Sequence, residues 1–233
     1  MRRGVFVTGT DTGVGKTLAC CALIHALAAH GVAARPMKPV AAGAIPHAGR
    51  RANDDTLALM GAAGLPIDEI DAVTPVLLHE AMAPHIAAAR AGRRITLAPI
   101  AAALERAPDR FLVVEGVGGF IVPLDGVLDT VDLARTVGLP VVLVVGMRLG
   151  CLNHALLSAL AIERSGLPFA GWIANAVDPA MEAAAENVEA LRERLRAPLL
   201  ARLPHQAVAR PRELAGCFDA EALAALGAHA VQR

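Results

Sequence analysis

Two lysines, a threonine and a few carboxylates carry the chemistry open to this chain. The first lysine closes the stretch Gly9-Thr-Asp-Thr-Gly-Val-Gly15-Lys16-Thr17, which follows the short apolar run Val5-Phe-Val-Thr8 and opens into an Ala/Leu/Cys-rich segment. Strand, glycine-rich turn and helix make a phosphate cradle. Glycines let backbone N–H groups turn inward, and the helix N-terminus adds partial positive charge. In such a loop Lys16 reaches the β- and γ-phosphates and the Thr17 hydroxyl meets Mg²⁺. The usual pattern leaves four residues between its first glycine and Gly-Lys-Thr. Counting from Gly9 gives five here, and position 10 is a threonine. The plainer reading, a tight turn that binds nothing, leaves Gly-Lys-Thr in this setting without a purpose.

The second lysine stands out by composition. Of 22 basic residues only Lys16 and Lys38 are lysine, and all others are arginine. A compact ammonium among crowded phosphate oxygens is a role that arginine does not fill. Two carboxylate positions complete the set. Arg110-Phe-Leu-Val-Val-Glu115 reads as a buried strand ending in an acid, followed by Gly-Val-Gly-Gly119. A nucleotide site uses such an acid for its metal, and the glycines allow close backbone approach. Glu115 also reads, more simply, as the end of a strand at a turn. Asn53-Asp54-Asp55 precedes a helix start, where aspartate is favoured as a cap in any case. Asp54 is the better capping candidate.

These residues need elements to position them. The segment 17–30 reads as a helix closed by Gly31, 33–38 as a strand ending at Lys38, and 44–52 as a polar loop. Residues 66–108 are the least legible. They hold an apolar run at 75–78, a helix from Pro84-His85 to Arg90, and another from Leu97 to Arg106. Beyond Glu115 come a loop at 120–130, a helix at 130–137 and a strand at 139–146 whose unbroken apolar run marks full burial. A helix to Ser165, a strand at 169–175, a helix over 179–196 and a strand at 198–203 follow. The region 206–218 reads as loop and 219–228 as a final helix. Strands alternating with helices predict an α/β fold, a mostly parallel sheet with helices on both faces, in one domain spanning 1–233. The glycine loop, Lys38, Glu115, residues 146–153, Asn175 and Pro204 all fall just past strand ends. In an open parallel sheet those ends share one edge, where ligands bind.

Composition bounds the rest. The chain is 55% hydrophobic and 19% charged with no formal net charge, which gives no footprint for nucleic acid or an anionic membrane. No apolar run is long enough to span a membrane, and Met1-Arg-Arg leads into too short an apolar stretch for a signal segment. The four cysteines, Cys20, Cys21, Cys151 and Cys217, lack metal-ligand spacing. A cytoplasmic protein is expected.

With these stretches in view, the chain resembles the dethiobiotin synthetases, ATP-dependent ring-closing enzymes of biotin biosynthesis, over nearly its whole length. The glycine loop matches that family's own phosphate loop, extra residue included. Lys38-Pro-Val, Val114-Glu115-Gly-x-Gly-Gly119, Gly150-Cys151-x-Asn153-His154 and Gly171-Trp172-x-Ala174-Asn175 look like its further motifs, in order and at its spacing. The resemblance implies that Thr17, Asp55 and Glu115 gather Mg²⁺, and it picks Asp55 rather than Asp54 as the functional aspartate. It implies that ATP meets Gly13, Val14, Gly15, Lys16, Thr17, Asp55, Glu115 and Gly118, with Asn175 and Pro204 framing the adenine. Lys38, Lys16 and Thr12 would serve catalysis. Thr12, Lys38, Ala42, Gly150, Cys151 and Asn153 would bind substrate, the last three as a helix start that receives a carboxylate across a homodimer interface. The implied substrates are 7,8-diaminononanoate and CO₂, joined as a carbamate that ATP phosphorylates before the ring closes. Ala42 and Ala83 depart from the hydroxyl residues expected in that pocket. A rival resemblance is to P-loop ATPase switches of the partitioning type, but those carry a further lysine where this chain has Asp11.

Overall fold

The apolar runs fold as strands and the spaced runs between them as helices in the computed structural model, which describes residues 2–107 and 109–228. β1 (Gly4–Gly9) leads through the glycine-rich turn into α1 (Lys16–Ala29), and β2 (Ala34–Met37) ends at Lys38. Three short strands follow, β3 (Val40–Ala42), β4 (Ile45–His47) and β5 (Arg50–Ala52), then α2 (Asp54–Ala63). The least legible stretch holds α3 (Ile70–Val73), β6 (Val76–Leu78), α4 (Pro84–Arg90) and α5 (Ala98–Arg106). Then come β7 (Phe111–Glu115), α6 (Thr130–Val137), β8 (Val141–Gly146) and α7 (Cys151–Arg164). The order closes with β9 (Phe169–Asn175), α8 (Ala184–Arg194), β10 (Leu199–Leu203) and α9 (Ala220–Ala228).

Six strands form one parallel sheet in the order β10-β9-β8-β1-β7-β2. β1 lies inside it, with Phe6 opposite Val114 on one side and Val141 on the other. Successive side chains of β1 enter opposite cores. Phe6 packs with Leu112, Val114 and Leu143 beneath α5, α6 and α7, while Val5 and Val7 pack against α1. Helices therefore cover both faces, as the alternating pattern implies. Each fully buried aliphatic or Phe side chain contributes about 1.5–3 kcal/mol.

α1 is apolar nearly all round because it is buried nearly all round. The sheet covers one side, α2 a second, and the 3₁₀ segment Pro211–Cys217 a third, through Leu214. The region 206–218 is thus a lid on α1 and not a plain loop. Residues 44–52 also depart from expectation. β4 and β5 form an antiparallel hairpin, Ile45 opposite Ala52, turning through Ala48 and Gly49 at φ +48° and +75°. Two left-handed residues in a row suit the twist of a two-residue hairpin turn. α8 begins at Ala184 rather than near Pro179, since Ala183 sits at φ +52° and breaks the helical path. Finally, Asn53 caps α2, not Asp54. Its side-chain oxygen accepts from Asp55 N at 3.1 Å, while its amide donates to Ala42 O at 2.9 Å. Asp54 takes the first helical position and is exposed.

Candidate active site

The loop between β1 and α1 is held from beneath. Gly13 and Gly15 take φ +73° and +80°, left-handed conformations that glycine adopts without steric cost. Val14 between them is buried and wedged so closely that a Cβ on Gly9 or Gly146 would come within 2.7 or 2.8 Å of it. Asn175, at the end of β9, donates its side-chain amide to Val14 O at 2.9 Å. A Cβ on Gly15 would lie 2.1 Å from that same nitrogen. Asp11 ties down the outer limb. One of its carboxylate oxygens accepts from Thr12 N at 2.7 Å and the other from Arg148 Nη2 at 2.6 Å. Its backbone carbonyl accepts from Lys16 Nζ at 2.9 Å.

Beside the loop, four side chains from two strand ends and two helix starts meet. Lys38 Nζ donates to Glu115 Oε1 at 2.5 Å, to Asp55 Oδ2 at 2.9 Å and toward Gly116 O at 3.3 Å. Thr17 Oγ1 lies 2.9 Å from Asp55 Oδ1 and 3.0 Å from Glu115 Oε1. Glu115 is 1% exposed and its second oxygen, Oε2, is buried with no hydrogen-bond partner. Burial works against the Lys38 ammonium, but Glu115 and Asp55 outweigh it and hold its pKa above the usual lysine value. Burial pushes the Glu115 carboxyl up, more than Lys38 pulls it down. Lys16 is lowered by burial, with Glu115 opposing.

The donor set fits a small hard dication. Two carboxylates and a hydroxyl offer oxygen only, and Glu115 Oε2 is a buried acceptor with no hydrogen-bond partner. Among the described residues no group of three His, Cys, Asp or Glu side chains is placed to hold a metal. Mg²⁺ binds through one or two carboxylates plus phosphates and water, and Asp55, Glu115 and the Thr17 hydroxyl offer oxygens of that kind.

These groups line a cleft of about 730 Å³. Thr12, Gly13, Gly15, Lys16, Thr17, Lys38, Ala42, Asp55, Glu115 and Gly118 all face it, as does Ala83. Gly118, at φ +63°, lies against Thr12 and Val122. The loop carrying it is pinned by Thr130, whose hydroxyl donates to Phe120 O at 2.6 Å and accepts from Val122 N at 2.9 Å. Other expected site residues lie elsewhere. Val14 and Asn175 sit beneath the loop. Pro204 lines a separate shallow hollow of about 310 Å³ with Ala174, Ala176, Ala184 and Val188. Gly150, at φ +92°, Cys151 and Asn153 start α7 outside the cleft, with Cys151 buried and Asn153 exposed. Two contributors were not singled out by sequence, Arg148 and Asn53. Arg148 stands within the quoted stretch 146–153, but only the fold brings it to Asp11.

A sequence model of the family described as an AAA domain matches residues 3–212. The ATP-dependent dethiobiotin synthetase BioD of Aromatoleum aromaticum is 53% identical over 215 residues, 91% of this chain and 95% of that protein. The chain belongs to the dethiobiotin synthetase family. Solved structures add the fold alone. Chloroplast FtsY from Physcomitrella patens matches with TM-score 0.53 at 20% identity, covering 97% of this chain, which spans 65% of that one. The MinC:MinD cell division protein complex of Aquifex aeolicus matches with TM-score 0.53 at 16% identity, covering 97% and 94%. The fold is thus shared with these proteins. Membership in the dethiobiotin synthetase family, with Asp11 in place of a further lysine, decides against a partitioning-type switch.

Proposed function

We propose that this chain closes the ring of dethiobiotin from 7,8-diaminononanoate and CO₂ at the expense of ATP. The observation that carries the reading is the placement of the chain's only lysines, Lys16 and Lys38, at one cleft with Thr17, Asp55 and Glu115. One substrate amine adds to CO₂ and loses a proton, giving a carbamate. A carbamate oxygen attacks the γ-phosphorus in line, ADP leaves, and a carbamic–phosphoric anhydride results. The second amine attacks the carbonyl carbon, the C–O bond to phosphate breaks, and the cyclic urea forms. No enzymic nucleophile is needed, because the substrate brings its own amines.

Each residue then has a part. The loop amides of Gly13, Val14 and Gly15 and the α1 N-terminus receive the phosphates. Lys16 exchanges the Asp11 carbonyl for phosphate oxygens. Lys38 and Thr12 hold the carbamate toward the γ-phosphate. Thr17, Asp55 and Glu115 would hold Mg²⁺, which would supply charge neutralisation to the phosphates. Gly118 backs the phosphates, and Asn175 and Pro204 frame the adenine. Ala42 leaves the pocket wall apolar against the alkyl chain of the diamine.

The substrate carboxylate is received by Gly150, Cys151 and Asn153 of a second copy, across a homodimer. Two features support this. Those residues lie outside their own cleft, the adjoining Leu149 is 97% exposed, and further along α7 the exposed Leu157 and Leu160 line an apolar hollow with Ile121. The chain works as one domain. The reading carries a cytoplasmic setting with it; among the described residues no helix is long and apolar enough to cross a membrane.

The deciding experiment is phosphate release from MgATP with bicarbonate, with and without 7,8-diaminononanoate. Release that requires the diamine and yields dethiobiotin supports the reading; slow release indifferent to the diamine overturns it.

A further inference from the structure

We infer that the Lys38 ammonium and the divalent cation are alternative occupants of one carboxylate pair, so that metal-bound nucleotide releases Lys38 into the substrate cleft. The inference rests on reading Thr17, Asp55 and Glu115 as the metal ligands. It concerns what Lys38 does before the metal arrives.

The hydrogen bonds carry it. Glu115 Oε1 already receives Lys38 Nζ at 2.5 Å and faces Thr17 Oγ1 at 3.0 Å. Asp55 turns one oxygen to each of the same two partners. Thr17 has one hydroxyl proton and so satisfies only one carboxylate at a time. The other is left facing a hydroxyl lone pair unless a cation stands near, and Lys38 is that cation. Lys38 holds one oxygen of Glu115 and one of Asp55, and Thr17 Oγ1 faces that same Glu115 oxygen and the other Asp55 oxygen, so the ammonium sits on the side chains read as the metal's ligands. A dication on them and an ammonium on Glu115 Oε1 and Asp55 Oδ2 would repel at contact distance, and the dication has the stronger claim on carboxylates.

Lys38 has somewhere to go. Its nitrogen is already within 3.3 Å of Gly116 O, at the rim of the glycine run, and its stem lines the cleft beside Ala41 and Ala42, which offer no competing acceptor side chain. A flexible four-carbon stem suits a group that must let go. A guanidinium would grip the carboxylates through a bidentate fork, which explains a lysine in a chain that otherwise uses arginine. The consequence is an order of events. Lys38 becomes free to meet a carbamate only after nucleotide and metal are in place, and a diamine arriving first finds the ammonium already neutralised.

The chain's two lysines make the test clean, since reductive methylation with formaldehyde and borohydride can be read at each by mass spectrometry. The unaltered protein is labelled with ADP and chelator, then with ADP and Mn²⁺, whose binding is followed by electron paramagnetic resonance. Lys38, 3% exposed when paired, is expected to label several-fold faster when Mn²⁺ is bound, while Lys16 stays protected in both. In Lys38→Met the ADP complex is expected to bind Mn²⁺ about tenfold more tightly, as for a site otherwise open a tenth of the time. Mn²⁺ binding with no change in Lys38 labelling overturns the handover alone, as does unchanged affinity in the Met variant. Failure of Mn²⁺ to bind with ADP at all overturns the ligand reading on which it rests. The labelling needs no substitution, so the test stands whether or not the Met variant folds.

Discussion

Gly15 and Asn175 form a pair whose coupling can be worked out from the structure. Gly15→Ala imposes two costs. Alanine at φ +80° sits in the left-handed region, at about 1–2 kcal/mol. Its Cβ would also lie 2.1 Å from Asn175 Nδ2, so the amide must swing away from Val14 O and break a buried 2.9 Å hydrogen bond. Leaving that carbonyl unpaired costs about 1–3 kcal/mol. The single substitution should therefore destabilise by about 2–5 kcal/mol. Asn175→Ala alone loses the same hydrogen bond, about 1–3 kcal/mol. In the double variant the bond is lost only once and the clash is gone, so the total falls short of the sum by about 1–3 kcal/mol. Urea unfolding of the four nucleotide-free proteins measures this directly. In a chain of this size each kcal/mol also moves Tm by about 2–4 °C. Single effects that add to within about 0.5 kcal/mol would refute the reasoning, because Gly15 would then be needed for its backbone alone.

Two further outcomes are expected. Burial works to raise the Asp55 carboxyl, but the Lys38 ammonium and the Thr17 hydroxyl more than offset it, and its pKa lies below the ordinary 3.8. A depressed carboxylate contributes stability that is complete above its ordinary pKa and lost as pH falls through the native one. The Tm curves of the unaltered protein and Asp55→Asn should differ near neutrality and draw together as pH falls below the ordinary carboxylate range; a gap that does not narrow in acid would contradict the pairing. Leu157→Glu sets a carboxylate into the apolar face beside α7. It should weaken self-association by at least about 3 kcal/mol, more than a hundredfold in Kd, and reduce diamine-dependent phosphate release with it. Light scattering that shows an unchanged oligomer would place the interface elsewhere.

What was legible in the sequence was local chemistry. Glycines before Lys16 and Thr17, and polar residues ending apolar runs at Lys38, Glu115 and Asn175, signal strand ends because buried strands tolerate such residues only there. The sheet edge followed from that alternation. What stayed hidden depended on through-space partners. The β4–β5 hairpin, Ile-Pro-His-Ala-Gly-Arg-Arg-Ala, has no apolar alternation and turns on Ala48, which is not a turn-former. Asn53 and Asp54 are both good caps, and only the second bond of Asn53, back to Ala42 O, selects it. The lysine–carboxylate cluster joins positions 38, 55 and 115, whose separation in sequence carries no hint of contact. Arg148 meets Asp11 only because β8 lies next to β1.

The central place of β1 also governs how the chain emerges during synthesis. β1 is made well before its neighbours, Phe111–Glu115 and Val141–Gly146. At about 5–20 residues per second, about 7–30 s separate the making of β1 from that of Gly146. Until β7 emerges neither edge of β1 is paired, and until β8 emerges one edge stays open. The glycine loop that β1 carries has no floor until Gly146 and Asn175 complete it. Nucleotide cannot stabilise the growing chain before then, and whatever shields β1 in the interval must act before any ligand can.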